Sequence, residues 1–143
     1  MMTISLLKKG DWATLKEINI LLRELSGTHA RLLTHAELGG ILRDKNIFLH
    51  VARDGKKIMG MATLVLIRTP SGLHATVESV VINTEYRGRG IGRLLTARLI
   101  TEAKKKRVLW IDLNSKPQRL AANTLYQKLG FTQAETNVYR LKP

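Results

Sequence analysis

The sequence predicts an α+β domain: a mixed, mostly antiparallel central sheet of about six to seven strands, flanked by about four helices. Three observations predict it. Leu15, Ile18, Leu22 and Leu25 recur at three- and four-residue steps, the period of one helix face. Residues 46–54 and 57–68 are rich in β-branched and aliphatic side chains and flank Asp54-Gly55, the composition of a hairpin. The second half then alternates strand, helix, strand, helix, strand, which requires a right-handed crossover and at least one parallel strand pair. With 143 residues and neither a repeat nor a linker, the chain reads as one domain over 1–143.

Each element has a local cause. "TISLLKK" reads as a short opening strand. The first helix runs from Asp11 to about Leu25 and stops at Ser26-Gly27. Thr34 precedes "HAELGGILRDK", with Glu37 three residues on, so a second short helix starts at a capping-box spacing, weakened by Gly39-Gly40. "NIFLHVARD", "KIMGMATLVLIR" and "HATVESVVI" are three consecutive antiparallel strands, the last two joined through Pro70-Ser71-Gly72. Residues 91–106 form a helix, although Arg98 and Glu102 interrupt its apolar stripe. "RVLWIDLN" is nearly continuous in apolar residues and reads as a strand buried on both faces. "PQRLAANTLYQKLG" has Pro at its start and Gly130 at its end, the asymmetry of a helix. "FTQAE" and "NVYRLK" read as closing strands. Trp12 and Trp110 are expected in the core.

Composition narrows the chemistry. The chain has no cysteine, which excludes disulfides, thiolate metal sites and a cysteine nucleophile. His29, His35, His50 and His74 lack metal-ligand spacing, so no metal is expected. No apolar run approaches a membrane span, and "MMTISLLKKG" is too short in apolar residues for a signal peptide, so the expected location is the cytoplasm. Lys+Arg 24 against Asp+Glu 11 gives a net charge of +13, which favours anionic partners.

The densest chemistry lies in "EYRGRGIGRLL", residues 85–95, between a strand and a helix. A helix N-terminus carries unpaired N–H groups and a partial positive charge, and so suits an anion. Gly88, Gly90 and Gly92 let the main chain turn tightly and approach a ligand. Arg87, Arg89 and Arg93 add donors that match phosphate geometry. The pattern reads as a pyrophosphate cradle. It is not a P-loop, because Gly-Lys-Ser/Thr is absent, and its glycine spacing is not that of the dinucleotide fingerprint.

Arg87-x-x-Gly90-x-Gly92 resembles the acetyl-CoA signature of the GNAT superfamily of N-acetyltransferases, and "NTLYQKLGF" (residues 123–131) resembles that family's second conserved block. The order of elements fits the GNAT fold along nearly the whole chain. Thr84 departs from the pattern, since many relatives carry proline there.

The resemblance implies acetyl-CoA as co-substrate and an amine as acceptor. Val80, Val81 and Ile82 would pair with the pantetheine arm. The amides of Arg87, Gly88, Arg89, Gly90, Ile91 and Gly92 would hold the pyrophosphate. Asn123 would bind the cofactor arm, Tyr126 would hydrogen-bond the departing thiolate or protonate it, and Asn114 could reach the same site. Glu78 matches the place where many relatives carry a glutamate base. If its strand alternates, Glu78 and Val80 face one way, Val77 and Ser79 the other. Glu78 could instead lie on a solvated face, and Glu85 and Asp112 are alternatives. Without cysteine, an acyl-cysteine route is closed, leaving direct attack of the amine in a ternary complex.

Rival readings are a basic nucleic-acid- or ribosome-binding domain, drawn from the +13 charge and "KKKR" at 104–107, and a non-catalytic acyl-CoA-binding relative. Aromatic residues at 5% leave few stacking platforms for the first. Acceptor choice is expected to depend on residues 11–45 and on the loop at 134–137 between the last two strands. A homodimer is a family habit.

Overall fold

The computed structural model describes residues 1–143. In chain order it contains β1 (Met2–Leu6), α1 (Trp12–Ser26), α2 (His35–Arg43), β2 (Ile47–Asp54), β3 (Lys57–Thr69), β4 (Gly72–Ile82), a 3-10 turn (Thr84–Tyr86), α3 (Ile91–Lys105), β5 (Ile111–Leu113) and α4 (Leu120–Lys128). The strands lie side by side in the order β1-β2-β3-β4-β5. All neighbours are antiparallel except β4 and β5, which are parallel and joined by α3.

Helix ends follow local chemistry. The Asp11 carboxylate accepts from the Thr14 amide at 2.8 Å and starts α1. Thr34 accepts from the Glu37 amide at 3.1 Å and starts α2. The two faces of the sheet bury different stripes. On one, α1 and α2 bring Leu15, Ile18, Leu21 and Leu38 against Leu49, Val51, Ile58 and Met61. On the other, α3 brings Ile91, Leu95, Leu99 and Ala103 against Ala52, Ala62, Leu64, Ala75 and Val77.

The sheet has five strands, not six or seven. Residues 131–143 form no strand, and the last main-chain hydrogen bond within the protein is Phe131 N–H to Tyr126 O. "FTQAE" and "NVYRLK" have strand composition, but a strand is stable only when paired. The available edge, β5, is three residues long. For the same reason "RVLWIDLN" is not buried on both faces: β5 lies at the sheet edge, and Leu109 and Trp110 are exposed.

The tryptophans are also outside the core. Trp12 is 70% exposed and stacks on His35 at 4.3 Å, since it occupies the first position of α1 beside the start of α2. Trp110 is 40% exposed, stacks on His74 at 4.5 Å and donates its indole N–H to Asp112.

Candidate active site

The site begins with an irregularity in β4. Met61 pairs with Val81 and Thr63 with Glu78, so two steps along β3 face three along β4. The extra residue is a bulge, and Ser79 takes a left-handed φ of 52°. The bulge resets the side-chain phase. Val77 lies in the α3-side core and Val80 and Ile82 pack against it, whereas Val81 joins the α1-side core. Simple alternation, with Glu78 and Val80 facing one way, therefore does not hold. Glu78 is exposed at the bulge, where its Oε1 accepts from Thr76 Oγ1 at 2.9 Å.

Beyond the bulge the sheet opens. The parallel pairing of β4 with β5 ends at Val77–Leu113, while β4 continues to Ile82 bonded only to β3. The gap forms a cleft of about 150 Å³. Glu78, Val80, Asn114 and Tyr126 all line it. Leu25, Ser79, Leu113 and Arg119 line it too. Leu25 comes from α1, within the 11–45 stretch expected to shape acceptor choice. The 134–137 stretch is not a loop between strands, because the strands on either side are absent.

Tyr126 is 7% exposed, on the one turn of α4 that reaches the interior. Its ring meets Phe131 edge-on at 6.0 Å. Burial raises the phenol above its ordinary pKa of 10.0, opposed by the charge of Arg119. Asn123, one turn earlier, donates Nδ2 to Lys116 O at 3.1 Å and so ties α4 to the loop before it. Glu85 lies exposed in the 3-10 turn, and Asp112 accepts from Trp110; neither lines the cleft.

The glycine loop follows β4 directly. Gly88 and Gly90 have φ of 78° and 77°, so both need the left-handed region that glycine enters without strain. Gly90 starts α3 with no side-chain cap. None of the amides from Gly88 to Arg93 donates to another protein group; the first bond of the helix is Leu94 N–H to Gly90 O. Gly92 is helical, and a Cβ there would sit 3.6 Å from Leu125 and 3.7 Å from Ile82, where α3, α4 and β4 meet. The arginines are partly engaged. Arg87 Nε donates to Ile82 O at 3.2 Å, and the Arg89 guanidinium lies 5.2 Å from the Tyr86 ring centre. The main-chain amides of residues 88–93 are free donors, and the exposed guanidinium groups of Arg87, Arg89 and Arg93 add further N–H groups beside them. They fit a diphosphate, and the unpaired run of β4 beside them fits an extended arm with its own amides.

Two supporting residues lie outside the sequence motifs. Asn83, 5% exposed, accepts from the Glu85 amide at 3.0 Å and shapes the turn. Glu24 on α1 accepts from the Thr84 amide at 2.9 Å. Asn before the turn was readable as an Asx-turn residue, but a partner sixty positions away was not.

The model of the acetyltransferase (GNAT) family matches residues 13–131. The chain belongs to the GNAT family. Members of this GNAT family use acetyl-CoA. Among its relatives, the [ribosomal protein bS18]-alanine N-acetyltransferase of Escherichia coli (strain K12) is 35% identical over 60 residues, 42% of this chain and 40% of the relative. The L-amino acid N-acyltransferase MnaT of the same strain is 36% identical over 84 residues, 57% of this chain and 48% of the relative. This GNAT chain thus matches less than half the length of either. An acetyltransferase of Trypanosoma brucei superposes with a TM-score of 0.79 at 27% identity, covering 100% of both chains.

Proposed function

We propose that this protein transfers the acetyl group of acetyl-CoA to a primary amine by direct attack within a ternary complex. One observation carries the reading. Glu78 and Tyr126, far apart in sequence, line one cleft, and β4, which forms part of its wall, runs on into the unpartnered amides of residues 88–93.

In this mechanism the amides of Gly88 to Gly92 hold the pyrophosphate, helped by the positive end of the α3 dipole. Arg87 and Arg89 add charge at the rim. Val80, Val81 and Ile82 offer their free main-chain edge to the pantetheine arm, and Asn114 and Asn123 flank it. Acetyl-CoA supplies an activated acyl group as a thioester. The chain's own residues then manage protons. An amine with a pKa of about 10 is mostly protonated at neutral pH. Glu78 takes its proton, directly or through one water, so that the nitrogen lone pair is free. The N–C bond forms to give a tetrahedral oxyanion; as the C–S bond breaks, Tyr126 O–H delivers a proton to the departing sulfur, and the second proton lost by the nitrogen passes through water to restore Tyr126. Burial keeps that phenol protonated across the working range. A main-chain N–H near Val80 stabilises the oxyanion.

The acceptor we favour is the α-amine of an amino acid or a peptide end. One relative is named for an alanine of a ribosomal protein and the other for L-amino acids. Arg119, in the same cleft, offers a cation to the carboxylate or carbonyl beside such an amine. The test is thiol release from acetyl-CoA with α-amino acids, short peptides, polyamines and aminoglycosides. Turnover is expected with the first two classes and is lost in Glu78→Gln and Tyr126→Phe. Full turnover in both variants would remove the proton-transfer roles. No stabilisation by acetyl-CoA at all would remove the reading.

A further inference from the structure

The second concentration of positive charge lies at the other end of the molecule. α3 starts at the glycine loop and runs about 22 Å, at 1.5 Å per residue, to the opposite rim of the sheet. There it ends in Lys104, Lys105, Lys106 and Arg107, all exposed. The register brings other cations to the same rim. Leu7 N–H bonds to Leu49 O, which puts Lys8 and Lys9 beside the start of β2. Arg43 and Lys45 immediately precede β2. Leu66 N–H bonds to Asn46 O, so Arg68 leaves β3 at this end. Leu109 N–H bonds to Leu73 O, which fixes Arg107 near the start of β4. Lys106 Nζ lies 5.2 Å from the ring centre of Phe48, joining α3 to β2 across the sheet end.

Four segments distant in sequence thus deliver nine exposed cations to one rim, with Asp44 and Glu102 the acids near them. The ion pairs of the protein are Met1–Asp54, Arg31–Glu37 and Lys57–Glu17, and none includes these nine. Helix dipoles account for Arg43, Lys104 and Lys105, which sit in last turns. They do not account for Lys8, Lys9, Lys45, Arg68 or Arg107, none of which has an ion-pair partner. The rim is also concave: a recess of about 250 Å³, larger than the catalytic cleft, is lined by Lys8, Arg43 and Lys45 over Leu42 and Phe48.

We propose that this rim docks a nucleic-acid duplex through its phosphate backbone. Five strands at about 4.8 Å spacing make the rim about 20 Å wide. Over that length a duplex presents roughly twelve phosphates. The exposed rings nearest the rim, Trp12 and Trp110, are each already stacked on a histidine, and Phe48 is half-buried under Lys106, so no row of free rings is offered to unpaired bases; this favours a duplex over a single strand. Backbone contacts carry no base sequence, so binding is sequence-tolerant. The surface is separate from the glycine loop, so it works alongside the catalytic cleft and does not rest on the transferase reading.

The test is fluorescence anisotropy of labelled 20-base-pair RNA and DNA duplexes between 50 and 200 mM NaCl. Six phosphate contacts predict a roughly 1,000-fold loss of affinity across that range. Charge removal in Lys8→Gln/Lys9→Gln and in Lys104→Gln/Lys105→Gln flattens the log–log salt slope by about 0.9 per contacting cation lost. The corresponding Lys→Glu pairs weaken binding further, while Lys16→Glu/Arg23→Glu on α1 leaves it within about twofold. Saturating acetyl-CoA leaves duplex binding unchanged. Competition by acetyl-CoA would place the duplex at the glycine loop and overturn the proposal. So would salt-insensitive binding, equal binding by the rim variants, or tighter binding to phosphatidylserine vesicles or polyglutamate than to either duplex.

Discussion

Glu24 on α1 and Thr84 in the turn after β4 are joined by a hydrogen bond of 2.9 Å from the Thr84 amide to Glu24 Oε2. A proline at this position would have no such amide. Thr84 therefore ties the turn to another element. Glu24→Ala should destabilise the protein by about 1 kcal/mol, the usual net value of one hydrogen bond. Thr84→Pro should change stability by less than about 1 kcal/mol, because the lost bond and the gained rigidity offset one another. In the Thr84→Pro background Glu24→Ala should be nearly neutral. Urea denaturation of the four proteins in the cycle measures the coupling.

Gly90 holds the left-handed conformation at the start of α3, and a Cβ there would meet nothing within 4 Å. Gly90→Ala is therefore penalised by the main chain alone, by about 1 kcal/mol. Acetyl-CoA affinity should fall by more than that, since a shift of this residue moves the neighbouring amides out of line. Calorimetric titration beside a denaturation curve separates the two effects.

The contrast between these two positions marks what was legible from residues alone. The glycine loop, the capping residues of α1 and α2 and the β2–β3–β4 meander are local in sequence, and their composition is enough to read them. Glu78 and Tyr126 are singled out by the family resemblance, but their meeting at a bulge is not readable from sequence. Ser79 is an ordinary residue, and only pairing with β3 shows that it takes a left-handed φ. Arg119 was missed because a lone exposed cation before a helix has no distinguishing pattern. The closing strands failed for a related reason: "NVYRLK" has the right residues, but its partner edge is three residues long.

Tyr126 should act as an acid over the whole accessible range. Burial raises its pKa from 10.0, so the phenol stays protonated below pH 10 and no descending limb from this group should appear there. Tyr126→Phe should lower kcat by roughly 100-fold, at the low end for a general acid, with less effect on the KM for acetyl-CoA. A pH–rate profile of kcat/KM from pH 6 to 10 checks both points.

His50 is 2% exposed under α3, its Nδ1 has no partner, and burial lowers its pKa below 6.5. A histidine depressed in the folded state stabilises the fold above the unfolded pKa. That stability is lost as pH falls from about 6.5 through the folded value, because the unfolded chain binds the proton first. Asp11 and Glu37, also lowered, act only below their ordinary carboxylate values. Thermal melts should therefore show a fall in Tm between pH 7 and pH 5 that is reduced in His50→Leu.

The most direct test of the cofactor site is an amide-resolved NMR titration with acetyl-CoA and, separately, with acetylpantetheine, which lacks the pyrophosphate. Acetyl-CoA should shift the resonances of Gly88 through Arg93 most strongly, and acetylpantetheine should move Val80 to Ile82 while leaving those six nearly still. Shifts that bypass residues 88–93 with acetyl-CoA, or that match between the two ligands there, would contradict a diphosphate held by the opening turn of α3.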